Sequence, residues 1–244
     1  MLSAVLISGN NDFEAAYRYI RSLSLGALDL YGHLAGHGPL GPRGGELYQS
    51  RCVLAFQEWY LGDSLFREKW GREPRLPGKK GLFRGEQPIV PIGALTAALG
   101  GLKRAGLSMG IGTGRVGYET DFPLDEWDIR KYFDESRLIT YDYVIEAEKL
   151  TEETVTKPHP YMFLKGMLGA DYDDARILRG EYDKTLATRT LVIGDAGADI
   201  LSAKAAGMDF AAVLTSVSGQ SARGYFERQG AEYILDDVTG LVEN

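Results

Sequence analysis

The feature that most constrains the fold is an alternation that begins near residue 90. From there, short apolar segments of strand length are followed by segments whose apolar residues recur at helical spacing. The predicted strands are 107–111, 138–145, 190–193, 210–214 and 232–235, and the predicted helices are 92–104, 159–168, 198–206 and 221–229. Strands that alternate with helices favour right-handed parallel crossovers, so the pattern predicts a doubly wound, Rossmann-like α/β sheet.

The first 90 residues have a different pattern. Helical segments are interrupted there by polar, glycine-rich loops, and 46–59 is predicted to be an aromatic-rich helix. Residues 72–88 contain several prolines and glycines and are predicted to be a linker or an exposed hairpin. We therefore expect a mostly helical cap region over 1–90, in which 4–7 is the strand candidate, and an α/β core over 91–244.

Charge and cysteine content narrow the class of protein. The chain has 244 residues, a formal net charge of −7 and a single cysteine, Cys52. An acidic chain disfavours a general nucleic-acid binder, and one cysteine excludes an intrachain disulfide and fits a reducing compartment. The sequence has neither a membrane-spanning apolar run nor the features of a signal peptide. We expect a cytoplasmic protein without a membrane or nucleic-acid partner.

Two of the segments at or near strand ends have side chains suited to an anionic ligand. Ligands bind beyond the carboxyl ends of the strands in doubly wound sheets, so these positions are the candidates for a site. After the strand 107–111 come Thr113, Gly114 and Arg115, where a hydroxyl and open backbone amides can hold phosphate oxygens. Lys157 stands just before a helix, next to prolines that restrict the backbone, and supplies a positive charge.

A third strand end is acidic. Asp195 follows the strand 190–193 and Gly194, and its carboxylate suits a hard, oxygen-seeking ion such as magnesium. Asp199 lies four residues later, in the first turn of the next predicted helix. It could cap that helix, bind Lys157 or assist the metal through water.

Taken singly, these residues have ordinary structural explanations. Thr113 is compatible with a turn, Lys157 with a solvated surface lysine, and Asp195 with the N-cap of a helix. With only three histidines in the chain, a histidine-based zinc site is disfavoured. The order of the segments is what favours a shared site.

That order resembles motifs two, three and four of the haloacid dehalogenase (HAD) superfamily. The chain runs from a strand followed by Thr113, through Lys-Pro-x-Pro, to a strand followed by Gly-Asp-x-x-x-Asp and an alanine-rich helix that ends in Gly-Met. Intervals of 44 residues from Thr113 to Lys157 and 38 from Lys157 to Asp195 are ordinary for that family. The resemblance covers roughly residues 90–240, and its fourth motif is the most specific part.

The resemblance implies a magnesium-dependent phosphatase that acts on a small phosphorylated metabolite. Thr113 would bind the phosphoryl oxygens and Lys157 would neutralise charge on an aspartyl-phosphate. Asp195 would bind Mg2+, and Asp199 is predicted to be a catalytic residue together with Thr113 and Lys157.

The motif that should carry the attacking aspartate is missing. In the family it is an apolar strand followed by Asp-x-Asp, but the only Asp-x-Asp in this chain, Asp171 and Asp173, follows no predicted strand. One explanation aligns the strand 4–7 with motif one, so that Ser8 and Asn10 replace the two aspartates. The other makes 1–90 entirely cap, with Asp-x-Asp supplied by a missing N-terminal segment or a partner chain. On either explanation, we expect little or no phosphatase turnover from this polypeptide alone.

Two other functions remain open. A HAD-like domain without its nucleophile would bind a phosphorylated ligand or a partner protein without turnover. A dinucleotide-binding Rossmann protein would explain the G-x-G-x-x-G string at 112–117. That fingerprint needs a helix starting at the glycines, whereas 121–124 is predicted to interrupt one, and it leaves Lys157 and Asp195 unexplained.

Overall fold

The computed structural model describes residues 51–242, with side chains described from residue 53 onward. Predictions for earlier residues, including the strand 4–7, Ser8 and Asn10, lie outside the described residues. The chain divides into two compact units between Gln87 and Pro88, and each is considered separately. The helices are α1 (Arg51–Trp70), α2 (Ile92–Arg104), α3 (Gly117–Glu126), α4 (Tyr141–Ala147), α5 (Tyr161–Leu168), α6 (Asp174–Leu178), α7 (Gly197–Ala206) and α8 (Arg223–Arg228).

The described part of the first unit is α1 and the loop that follows it. Helix α1 continues well beyond the predicted end at 59, and it is kinked at Gly62, whose backbone has φ 71° and ψ 170°. This conformation is essentially restricted to glycine. The kink lets the loop at 77–81 approach the helix backbone, because a Cβ on Gly62 would lie 2.5 Å from the Gly81 nitrogen.

Residues 72–88 were predicted to be a linker or an exposed hairpin, and the hairpin alternative is wrong. The segment contains one short 3-10 turn, Leu82–Gly85, and no strand. Asp63 accepts hydrogen bonds from the backbone amides of Gly78 and Lys79, and the Lys79 ammonium is buried 3.4 Å from a Glu58 carboxylate oxygen. The Lys79–Glu58 pair and the Asp63 carboxylate therefore hold this glycine-rich segment against α1. Composition alone does not reveal these contacts.

Parallel strands form the core of the second unit, as predicted. They are β1 (Ile111–Gly112), β2 (Leu138–Ile139), β3 (Leu191–Gly194), β4 (Asp209–Val213) and β5 (Tyr233–Leu235). Within residues 51–242 they make two pieces, β1-β2 and β3-β4-β5, and every pair is parallel. The prediction of a Rossmann-like α/β fold is confirmed.

Helices α7 and α8 connect consecutive neighbours in the order β3-β4-β5. Right-handed crossovers between such neighbours place both helices on the same face of the sheet. Phe210 of β4 is fully buried there and stacks on Phe226 of α8, with ring centroids 6.0 Å apart. Burial of each aromatic side chain contributes about 2–3 kcal/mol to folding. Helix α7 ends at Gly207, which adopts a left-handed conformation, as the sequence predicted.

Three local predictions in this unit are wrong. The strand predicted at 107–111 is shorter and lies later in the chain, at Ile111–Gly112. The strand predicted at 138–145 ends at Ile139, and Tyr141–Ala147 is a helix, so its alternating apolar residues lie on a helix rather than along a strand. Helix α3 also runs through Pro123, where an interruption was predicted. An interior proline removes one backbone hydrogen bond, and its ring crowds the carbonyl four residues earlier. Pro123 and Leu124 are both buried in this helix, and their burial accompanies that cost.

Substitution of Gly62 tests the kink. Gly62→Ala should lower the free energy of unfolding by about 2 kcal/mol more than Gly71→Ala, measured by chemical denaturation. Both glycines have positive φ, but a Cβ on Gly71 would meet nothing within 4 Å. Equal losses in the two variants would contradict the close approach of 77–81 to α1.

Candidate functional site

The ammonium group of Lys157 joins two elements that are distant in sequence. Its Nζ donates to the Gly112 carbonyl oxygen at the end of β1, at 2.9 Å, and to Asp199 Oδ1 in the first turn of α7, at 2.8 Å. It also lies 4.7 Å from the centre of the Phe163 ring. The Lys157 side chain is only 19% exposed, so it is not the solvated surface lysine that the residue alone would suggest. Thr113 follows Gly112 directly, and the lysine therefore brings the first and third candidate segments together.

Asp199 has two structural uses. Besides binding Lys157, its Oδ2 accepts a hydrogen bond from the backbone amide of Ala196 at 3.3 Å, which satisfies a donor at the start of α7. A Cβ on Gly194 would lie 2.7 Å from the Asp199 carboxylate, so only glycine fits at the end of β3. The sequence left three roles open for Asp199, and its carboxylate performs two of them, capping α7 and binding Lys157.

The carboxylate of Asp195 is in a different electrostatic situation. It is half-buried, and burial raises its pKa above the ordinary value, with the charge of Asp199 acting in the same direction. Its own backbone amide and Lys157 oppose the rise. No other side chain in the described part of the chain donates a hydrogen bond to it. Asp195 is thus the acidic group at this edge that is free to bind a cation.

The loop after β1 has fewer open amides than the sequence suggested. The Thr113 amide donates to the Ile139 carbonyl of β2, and the Arg115 amide donates to the Thr113 Oγ1. Gly114 is exposed and has open space around its Cα. Arg115 is directed toward α3, where its guanidinium lies 3.7 Å from the Glu119 carboxylate. The Thr113 hydroxyl hydrogen and Gly114 are the groups that remain for an anion.

Thr140 and Asp142 support this loop and were not anticipated from the sequence. Asp142 Oδ2 accepts from the Gly117 amide at 2.7 Å and from the Thr140 hydroxyl at 2.7 Å. The Tyr141 amide donates to the Arg115 carbonyl. A Thr-x-Asp string is a common helix-start signal, but it was hidden by the assignment of 138–145 to a strand.

Comparisons with known proteins agree with this arrangement. Residues 154–241, which include Lys157 and Asp195, match the model of a family described as HAD-hydrolase-like. Among solved structures, the chain is similar to an X-ray structure of a Northeast Structural Genomics Consortium target, with a TM-score of 0.71 and 29% sequence identity. The match covers 78% of this chain and 51% of that one, so this chain spans about half the length of that protein. No curated protein matches the chain.

The part of the chain that carries Lys157, Asp195 and Asp199 thus matches a HAD-hydrolase-like family, in agreement with the resemblance that its motifs predicted. No helix within residues 51–242 is long and apolar enough to cross a membrane.

Removal of the Lys157 ammonium group should destabilise the folded protein. We expect Lys157→Met to lower the free energy of unfolding by about 2–3 kcal/mol, because it leaves the largely buried Asp199 without its cation. Lys149→Met is the matched control, since Lys149 pairs with Glu146 on the surface and should change stability by at most about 1 kcal/mol. Urea denaturation followed by circular dichroism measures both, and equal effects would contradict the bridge.

The raised pKa of Asp195 predicts a pH-dependent effect on stability. The folded protein keeps this proton to higher pH than the unfolded chain, so stability falls as pH rises above 3.8, the ordinary value, through the raised pKa. Without metal, Asp195→Asn should therefore raise the melting temperature at pH 7 by about 1–2 °C. The gain should shrink as pH is lowered toward 3.8.

The control for this measurement is Asp209→Asn. Asp209 is exposed at the amino end of β4, the opposite edge of the sheet. The melting temperatures of both variants are measured by thermal unfolding at several pH values, with a chelator present to remove metal. A lower melting temperature for Asp195→Asn at pH 7 would contradict the assigned electrostatics.

Proposed function

We propose that this chain carries the phosphate- and magnesium-binding part of a phosphoryl-transfer site for a small phosphorylated metabolite. The observation that carries the proposal is the Lys157 bridge between the end of β1 and α7. It supports a site in which the hydroxyl of Thr113, the cation of Lys157 and the carboxylate of Asp195 act at one edge of the parallel strands. A phosphate monoester needs these three groups.

Each group has a separate task in the proposed site. The Thr113 hydroxyl donates to a phosphoryl oxygen, since its oxygen already accepts the Arg115 amide. Lys157 is held in place by Asp199 and lowers the electrostatic cost of negative charge at the end of β1. Asp199 is thus proposed to assist catalysis by orienting Lys157, rather than by touching the phosphate.

The donors at this edge fit magnesium. Mg2+ prefers oxygen ligands and is commonly held by one or two carboxylates, with water and phosphate completing the shell. Asp195 offers one such carboxylate, while no group of three histidine, cysteine or acidic side chains within the described residues could hold a metal by itself. Asp195 would hold the magnesium ion, which would neutralise negative charge on the phosphate.

The attacking group is not found among the described residues. The Asp171 and Asp173 pair lies between α5 and α6, and Asp173 caps α6 by accepting the Arg176 amide. In this part of the chain, β1 and β3 each pair with a strand on one side only. We propose that the strand with Asp-x-Asp comes from a segment outside these residues or from a partner chain, and that this polypeptide alone binds phosphate with little turnover.

The same observations rank the two alternatives. Binding of a phosphorylated ligand without turnover needs only the groups already present, so it is the second candidate. Dinucleotide binding is disfavoured because the backbone amides after β1 already have acceptors. The Thr113 amide donates to β2, the Arg115 amide donates to the Thr113 hydroxyl oxygen, and the Gly117 amide donates to Asp142. These amides would otherwise hold the pyrophosphate.

Metal binding and hydrolysis are tested together. Mn2+, as a probe for Mg2+, should bind the purified chain with about one site per chain, and inorganic phosphate should tighten binding. Asp195→Asn should weaken Mn2+ affinity at least about tenfold, whereas Asp209→Asn should leave it unchanged. Electron paramagnetic resonance of free Mn2+ measures affinity.

Hydrolysis of p-nitrophenyl phosphate with Mg2+ should be near background for the unmodified chain. Absence of Mn2+ binding would contradict the proposed site. Turnover that Asp195→Asn abolishes would show instead that the chain supplies its own nucleophile.

A further inference from the structure

Tyr225 touches the loop that carries both aspartates, although it lies on a different element. A Cβ on Gly197, the first residue of α7, would be 2.7 Å from the Tyr225 hydroxyl oxygen, 3.1 Å from Cζ and 3.2 Å from Cε1. The end of the tyrosine ring therefore rests directly on the Gly197 backbone. No larger residue fits at 197 unless the ring moves.

Phe226 fixes the position of the Tyr225 ring. Tyr225 lies on α8 and packs edge-to-face on Phe226, with centroids 5.6 Å apart and an interplanar angle of 74°. Phe226 is 1% exposed and stacks on the fully buried Phe210 of β4. A continuous aromatic contact thus runs from the core of the sheet to Gly197.

Gly197 is the midpoint of the acidic loop. Asp195 lies two residues before it and Asp199 two residues after it. The loop is held from within by the Asp199 bond to the Ala196 amide, at 3.3 Å, which is long for a charge-assisted hydrogen bond. A contact from outside therefore restrains the backbone at the point where a shift would move both carboxylates.

We propose that Tyr225 is a positioning residue for Asp195 and Asp199, acting through its ring contact with Gly197; the metal part of this inference rests on the proposed function. The Tyr225 hydroxyl forms no hydrogen bond within the described residues, so the contact is steric. Tyr225→Phe loses the hydroxyl but keeps the whole ring, whose Cζ and Cε1 still contact Gly197, and it should stay close to the unmodified protein. Tyr225→Leu keeps apolar packing on Phe226 but does not reach Gly197.

A double-mutant cycle with Gly197→Ala tests the contact. With Tyr225 present, Gly197→Ala should displace the ring and weaken Mn2+ affinity about three- to tenfold. Tyr225→Leu should weaken it by a similar factor. In the Tyr225→Leu background, Gly197→Ala should have little further effect, because the space for the methyl group is then open. Tyr233→Ala, at the exposed amino end of β5, is the control and should change nothing.

A second readout does not depend on metal. Hydrogen exchange of the amides at 195–198, measured without metal, should speed up about three- to tenfold in either single variant and no more in the double variant. If the unmodified chain binds no Mn2+, the proposed function fails, and the exchange cycle still decides the positioning role. Additive effects of the two substitutions, or no effect of Tyr225→Leu on either readout, would overturn it.

Discussion

The arrangement of the candidate site depends on one ammonium group. Lys157 lies at the start of the segment that leads into α5, yet its hydrogen bonds go to the end of β1 and to the first turn of α7. A largely buried cation must be paired, because its desolvation is otherwise uncompensated. Asp199 supplies that pairing, and the two pieces of parallel sheet are thereby coupled at their carboxyl edge. The bridge thereby links the strand end that precedes Thr113 to the helix that follows Asp195.

The two aspartates of the fourth motif differ because their surroundings differ. Asp199 is paired with Lys157 through one carboxylate oxygen and accepts a backbone amide with the other. Asp195 lies close enough for the charge of Asp199 to raise its pKa, but it receives no comparable partner in the described part of the chain. This difference is the basis of the proposal that Asp195 binds the metal while Asp199 orients Lys157.

Prediction from sequence succeeded where the pattern was long and failed where neighbours decided the structure. Helix α2 was predicted with its observed ends, and β3, β4 and α7 within one residue, because apolar periodicity and a terminal glycine mark such elements. The segment after Ile139 was taken for strand because its apolar residues are also compatible with one. Its helical state, and the use of Asp142 to hold the loop after β1, depend on contacts with residues more than twenty positions away.

The sequence alone was sufficient to predict the α/β fold class and the resemblance to the HAD superfamily, because strand–helix alternation and motif order are local properties of the chain. It also singled out Thr113, Lys157, Asp195 and Asp199 as candidate site residues. It also established that no Asp-x-Asp follows a predicted strand. Only the tertiary structure decided that Lys157 is bound to Asp199, that the amides after β1 are mostly used, and that the ring of Tyr225 rests on Gly197. These contacts form only when strands that are distant in sequence become parallel neighbours. Local sequence patterns do not specify the distances between their atoms.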